Sequence, residues 1–258
     1  MDFHVKNQLF VVTGAGSGFG RAIAELLLHE GAFVIAVARS SEVLTQFKML
    51  HPERLEVLVA DITLDESQEK LLHLCKAKQL AGIVVNAGGP PAKAFLETVI
   101  SDWDEAYRNV LRWKVAFVQK FMPLLLAQGY GRVLFIESIS VKQPVENLVL
   151  SNSLRAAVVG FVKSLSADVA DKNITLNILA PGYHNTAAMQ RLFDKKALNE
   201  QISPDQARSN FEKQIPVKKM GEAWEMAVPA LWLLSASSRY VTGQTISHDG
   251  GLIKGIFG

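Results

Sequence analysis

Four glycines in eight residues, Thr13-Gly14-Ala15-Gly16-Ser17-Gly18-Phe19-Gly20, separate an apolar run, Leu9 to Val12, from an amphipathic stretch, Arg21 to Leu27, that Gly31 closes. That order predicts a buried strand that feeds a helix through an open-backboned turn. The unpaired N–H groups of a first helical turn face whatever fills such a turn. A pyrophosphate suits it, because glycines admit its close approach and the helix N-terminus favours its charge. Gly14, Gly18 and Gly20 give Thr-Gly-x-x-x-Gly-x-Gly rather than the Gly-x-Gly-x-x-Gly of most dinucleotide dehydrogenases. Ser17 and Phe19, between those glycines, are expected to line the phosphates with them.

Beyond the turn, strand-like and helix-like stretches alternate. Ala32 to Ala38, Leu55 to Ala60, Gly82 to Asn86, Gly131 to Ile136, Ile174 to Ala180 and Gly243 to His248 are short apolar or β-branched runs. Helical patterns fall between them, to Leu50, over Asp65 to Lys78, from a capping box at Ser101 to Gln128, from Asn147 or Ser151 to Asp171, and over Glu222 to Ser235. Continuous apolar strands joined by helices predict a Rossmann-type α/β fold, a doubly wound parallel sheet of about seven strands with helices on both faces. Residues 183–221 are polar and mixed, with helical pieces over Ala187 to Asn199 and Pro204 to Gln214 and no strand. With no repeat or linker visible, a single domain, 1–258, with a mobile substrate-loop insert at about 183–221 is the simplest architecture.

Composition narrows the function classes. A net charge of +2 lacks the basic excess that nucleic-acid binding needs. Neither a secretory leader nor a membrane-length apolar run is visible, and the lone Cys75 fits a reducing compartment, so a cytoplasmic protein without membrane contact is expected. Cys75 lies at an apolar-periodic position and is expected to pack in the core, and no metal site is expected. Two helical stretches, Val110 to Leu126 and Leu150 to Leu165, are apolar on more than one face. A sheet covers one face of a helix, so the surplus predicts a homodimer or homotetramer.

Thr13-Gly14-x-x-x-Gly18-x-Gly20, Asp61 after the third strand, Asn86-Ala87-Gly88 after the fourth, Pro181-Gly182-x-x-x-Thr186 after the sixth and Val241-Thr242-Gly243-Gln244 with Asp249-Gly250-Gly251 resemble the short-chain dehydrogenase/reductase family. The match runs in order through essentially the whole chain. It is most similar to a divergent branch of β-ketoacyl-carrier-protein-reductase-like members. The resemblance implies that Asp61 and Ile62 border an adenine and that Asn86, Ala87 and Gly88 lie along the adenosine ribose. Pro181 and Gly182 would help to bind the cofactor, and Thr186 would reach the nicotinamide amide or the pyrophosphate, although it equally suits a helix cap.

The end of the second strand bears on the cofactor. An acidic residue there would bind the ribose hydroxyls of NAD and repel a 2′-phosphate. This chain has Ala38, then Arg39, Ser40 and Ser41, a guanidinium with hydroxyls that suits a phosphate, so NADP(H) is favoured over NAD(H). Ser17 runs the other way, since many NADP-using relatives have a basic residue there.

The catalytic motif departs from the family. Relatives use an Asn, a Ser and a Tyr-x-x-x-Lys pair, and Asn109 and Ser138 match the first two. Thirteen residues past Ser138 stands Ser151 in place of Tyr, and four later Arg155 in place of Lys. A phenol can donate a proton to a developing alkoxide; a serine is a far weaker acid, and arginine stays protonated. Three substitutes are open. Ser151 and Arg155 could form an oxyanion clamp, Tyr183 or His184 could donate, or Arg155 with Lys142 and Arg112 could bind an acidic substrate. Two functions follow: an NADP(H)-dependent oxidoreductase acting on a small carbonyl or alcohol, or a catalytically silent NADP(H)-binding protein that acts as a sensor or oligomer partner.

Overall fold

The computed structural model describes residues 2–76 and 78–256. Its sheet runs β3-β2-β1-β4-β5-β6-β7, all parallel, from β1 (Leu9–Thr13), β2 (Phe33–Ala38), β3 (Leu55–Val59), β4 (Leu80–Val85), β5 (Gly131–Ile136), β6 (Ile174–Pro181) and β7 (Thr245–His248). After β3 the chain returns to the other side of β1, so the order reverses between β1 and β4. At such a switch point the connections leave in opposite directions and open a crevice at the carboxyl ends of the strands. Thr13 and Asn86 stand at that crevice.

Side chains alternate across the central strands into two cores. Phe10 and Val12 pack with α1 (Gly18–His29), α2 (Ser41–Leu50) and α9 (Ala223–Leu234) through Leu27, Phe47 and Leu231. Val11 and Ile83 face α3 (Asp65–Cys75), α5 (Trp113–Gln128) and α6 (Val149–Val169) through Leu71, Phe117 and Val158. Cys75 lies in this second core, fully buried, and burial pushes its thiol up to about 12, where it is inert.

Some boundaries differ from the sequence expectation. The first helix starts at Gly18 rather than Arg21, so the end of the glycine turn is already helical. The long central helix begins with α4 (Ile100–Ala106), where the Asp102 carboxylate reaches back to accept from the Val99 N–H at 2.9 Å. Ser101 is therefore inside the helix and does not cap it. A π-helical turn, Tyr107–Arg112, joins α4 to α5. Phe117, a candidate for a subunit face, is fully buried between Trp113 and Phe121 within the protomer. The apolar surplus is accordingly smaller, with Leu111 and Leu124 on one helix and Val159, Phe161 and Leu165 on the other half-buried.

The segment after β6 folds into α7 (Ala187–Glu200) and α8 (Pro204–Gln214), as the two helical patterns required. They share a small core of their own built on Met189, Phe193, Ala207 and Ile215. Its two ends are pinned together. Asn185 N–H donates to Gly221 O at 2.7 Å and Gly221 N–H to Tyr183 O at 3.1 Å.

Candidate active site

The glycine turn is fastened to the end of β4. Thr13 Oγ1 donates to Asn86 O at 2.7 Å and accepts from Asn86 N–H at 2.8 Å, while Asn86 Nδ2 donates to Thr13 O at 3.4 Å. Two glycines are obligatory there. Gly14 has a φ of +62° and any Cβ on it would stand 2.8 Å from Asn86 O; a Cβ on Gly20 would stand 2.3 Å from Gly14 O. The turn can therefore close onto α1 only without side chains, which leaves its backbone open to close approach. Ser17, the residue before α1, is exposed and makes no side-chain cap, which leaves the first-turn N–H groups open. These features fit a dinucleotide pyrophosphate.

The other expected cofactor residues surround this turn. Ala87, half-buried, leads to exposed Gly88 and Gly89. Arg39 is exposed at the end of β2 and has no ion-pair partner among the described residues. Ser40 beside it caps α2, its Oγ accepting from Val43 N–H at 3.4 Å. Asp61 Oδ1 accepts from Thr63 N–H at 3.0 Å and Thr63 Oγ1 at 2.7 Å, which bends the chain out of β3, and Ile62 is buried. Pro181 ends β6, and Gly182 N–H donates to His248 O at 3.0 Å. Thr186 caps α7 through Met189 N–H, and its Cγ2 lies 3.8 Å from where a Cβ on Gly18 would stand. Its cap role and its place beside the glycine turn are thus compatible.

The catalytic candidates separate into those brought together and those not. Ser138 follows β5 by two residues, its Oγ accepting from Ser140 N–H at 3.1 Å. On α6, Arg155 Nε donates to Ser151 Oγ at 3.1 Å, and Arg155 Nη1 donates to Glu137 Oε2 at 2.7 Å. Glu137 precedes Ser138, so one guanidinium ties the end of β5 to the first turns of α6. The second Glu137 oxygen, Oε1, accepts from Lys114 of α5. All three charged side chains are buried. Both serine oxygens already accept one N–H, and each hydroxyl keeps its own proton to donate. Such a group of donors can hold an oxyanion.

The other candidates make no hydrogen bond to this group among the described residues. Asn109 lies in the π-helical turn, exposed, with its Nδ2 donating to Glu105 Oε1 at 3.5 Å, and makes no hydrogen bond to Ser138, Ser151 or Arg155 among the described residues. Of the acidic-substrate trio, Arg112 is exposed and Lys142 half-buried, and another buried cation, Lys114, shares Glu137 with Arg155. Tyr183 packs edge-on to Phe211 in the small core of the insert, and burial pushes its phenol up, away from neutrality. His184 is buried rather than poised to swing. Its Nδ1 faces Gly182 O at 3.1 Å and its Nε2 faces His248 Nδ1 at 2.9 Å. A carbonyl only accepts, so His184 Nδ1 carries the proton and His248 donates to Nε2. Burial pulls the His184 imidazole below its ordinary value, and Phe19 of the glycine turn packs edge-on to it.

Sequence reasoning missed Glu137, Lys114 and His248. A signal existed for the first two. Glu137 directly follows an apolar strand, and Lys114 interrupts an apolar stretch between Trp113 and Val115. Charges in such stretches need partners if they are buried.

Residues 14–253 match the family model described as enoyl-(acyl carrier protein) reductase. The chain is 28% identical over 262 residues to 3-oxoacyl-(acyl-carrier-protein) reductase FabG of Aquifex aeolicus, covering 98% of this chain and 100% of the relative. It is 29% identical to an NAD-dependent glycerol dehydrogenase of Listeria innocua, covering 97% of this chain and 95% of that protein. Among solved structures, YwfH, an NADPH-dependent reductase involved in bacilysin biosynthesis, superimposes with a TM-score of 0.91 at 25% identity, covering 97% of this chain and 100% of that one. The L-sorbose reductase of Gluconobacter frateurii, complexed with NADPH and L-sorbose, has the same fold, with a TM-score of 0.92 at 24% identity and coverage of 99% and 100%. Among the described residues no helix is long and apolar enough to cross a membrane.

Proposed function

This chain belongs to the short-chain dehydrogenase/reductase family of oxidoreductases, and we propose that it moves a hydride between NADP(H) and a small carbonyl or alcohol substrate with Ser151 and Arg155 in place of the usual acid pair. The observation that carries this reading is the bonded series Ser151–Arg155–Glu137 ending beside Ser138, at the carboxyl end of the sheet that also holds the glycine turn. The nicotinamide supplies or accepts the hydride when bound. The protein's part is to hold the substrate oxygen: the Ser151 and Ser138 hydroxyls hydrogen-bond to it, Arg155 polarises Ser151 and stabilises the negative charge that develops, and solvent supplies the proton that turns the alkoxide into the alcohol. Asn86, Gly14 and Gly18 hold the dinucleotide, with Thr186 beside them.

NADPH oxidation measured over a panel of small ketones, with NADPH affinity measured in parallel, tests the reading. A second reading, cofactor binding without turnover, is favoured by one observation: Tyr183 and His184 are both held in packing, and neither hydrogen-bonds Ser151 among the described residues. Intact NADPH binding without consumption on any ketone would select it.

Arg39 is proposed to choose the phosphate-bearing cofactor. A charge-assisted phosphate contact is worth about 1.5–3 kcal/mol, which is tenfold or more in affinity. NADPH is expected to bind tighter than NADH by that factor, and Arg39→Ala to remove most of the difference; equal affinities in wild type by calorimetry would reject the assignment. The half-buried apolar residues of α5 and α6 are proposed to meet their copies across a two-fold axis in a dimer or tetramer. Leu165→Glu is then expected to shift light scattering toward the monomer mass.

A further inference from the structure

We infer that the substrate carries a carboxylate, which accepts from the unengaged Nη2 of Arg155, and that Lys114 is the positioning residue whose charge makes the site select it. This rests on the oxidoreductase reading above. The Glu137 side chain is wholly enclosed, and those of Lys114 and Arg155 are 3% and 10% exposed. Two cations thus share one carboxylate, which leaves one positive charge in excess in a buried place. A Glu137–Arg155 pair alone would be neutral and would already fix the guanidinium. Lys114 therefore adds charge that fastening Arg155 does not require.

The excess has an outlet. Arg155 Nε is used on Ser151 and Nη1 on Glu137, while Nη2 makes no hydrogen bond among the described residues. Nη2 lies 3.0 Å from where a Cβ on Gly89 would stand, and Gly89 is exposed. The fork therefore presents one unengaged nitrogen, Nη2, at the loop that follows β4. A neutral hydroxyl there would satisfy the N–H groups but leave the charge uncompensated; a carboxylate does both.

The groups facing Lys114 are Glu137, Arg155 and the Trp113 ring, whose centroid is 5.9 Å from Nζ. Burial, with Arg155 acting in the same direction against Glu137, brings the Lys114 ammonium down to about 8. Below that pH the cluster holds its excess charge, and above it Lys114 becomes neutral and the excess disappears. Carboxylate binding is therefore strong at neutral pH and lost as pH rises through about 8.

The test is calorimetric titration of the NADPH-loaded protein with oxalate and with its neutral counterpart oxamide. Oxalate is expected to bind at least about tenfold tighter than oxamide, since a hydrogen bond to a charged group exceeds a neutral one by that order. Lys114→Met is expected to lose that preference and keep its NADPH affinity, because Glu137 and Arg155 remain a neutral pair. In wild type, oxalate affinity should fall between about pH 7 and about pH 9, while oxamide affinity stays level. Equal binding of oxalate and oxamide, a preference unchanged in Lys114→Met, or a flat pH profile would each overturn the inference while NADPH still binds. Loss of NADPH binding in wild type would instead overturn the oxidoreductase reading. If Lys114→Met does not fold, the wild-type pH profile decides alone.

Discussion

Ser151→Ala is expected to lower kcat/KM for carbonyl reduction by about 10²–10³-fold, the size of effect seen when one preorganised oxyanion donor is removed. Ser151 Oγ accepts from Arg155 Nε at 3.1 Å, so its own hydrogen is directed to another acceptor. That arrangement makes it the donor nearest in role to the missing phenol. The substitution removes the hydroxyl and leaves the Arg155 guanidinium in place on Glu137, so NADPH affinity should be unchanged. The measurement is steady-state kinetics on the ketone consumed fastest, with NADPH binding by fluorescence as the control. Ser138→Ala is the comparison. Should Ser151→Ala turn over like wild type and Ser138→Ala be silent, the donor is Ser138 alone, and the clamp with Arg155 is wrong.

Glu137→Gln is expected to destabilise the protein by about 3–5 kcal/mol, the cost of leaving buried charge without its partner. Glu137 is the single anion between Lys114 and Arg155, and its side chain has no exposure to water. An amide cannot balance two ammonium-type charges, although it can keep one hydrogen bond. Urea denaturation reads the loss as a lower midpoint at constant slope. Adding Lys114→Met to Glu137→Gln should recover part of the stability, because only one buried cation then remains. A loss under about 1 kcal/mol would show that water reaches the cluster and screens it.

Much of the fold was legible because local patterns carry it. A strand buried on both faces is an apolar run, and β1 as far as Val12, β2 and β4 are such runs; the helices between them show their periodicity and stops in single stretches of chain. The glycine turn was legible for the same reason, since the demand that Gly14 and Gly20 carry no side chain acts within eight residues. The start of the central helix was less so. Asp102 and Ser101 both suit a helix entrance, and which one serves depends on the carboxylate reaching back to Val99 while also holding Lys93.

The candidate catalytic cluster divides the same way. Ser138, Ser151 and Arg155 could be placed by spacing, because a strand end and an i,i+4 pair on a helix are local facts. The charge balance around them was not local. Glu137 meets Arg155 across 18 positions and Lys114 across 23, and neither contact leaves a periodic trace in the sequence. The burial of His184 against His248, 64 positions away, likewise depends on β6 and β7 lying side by side. From the amino-acid order alone came the alternation of strand and helix and the phosphate-type turn, and the resemblance to the family added the reading of Ser151 and Arg155 as standing where relatives have a phenol and an amine. The packing of α5 and α6 decided which charges are enclosed and where the excess lies, because desolvation depends on what surrounds a side chain in space and not on its neighbours along the chain.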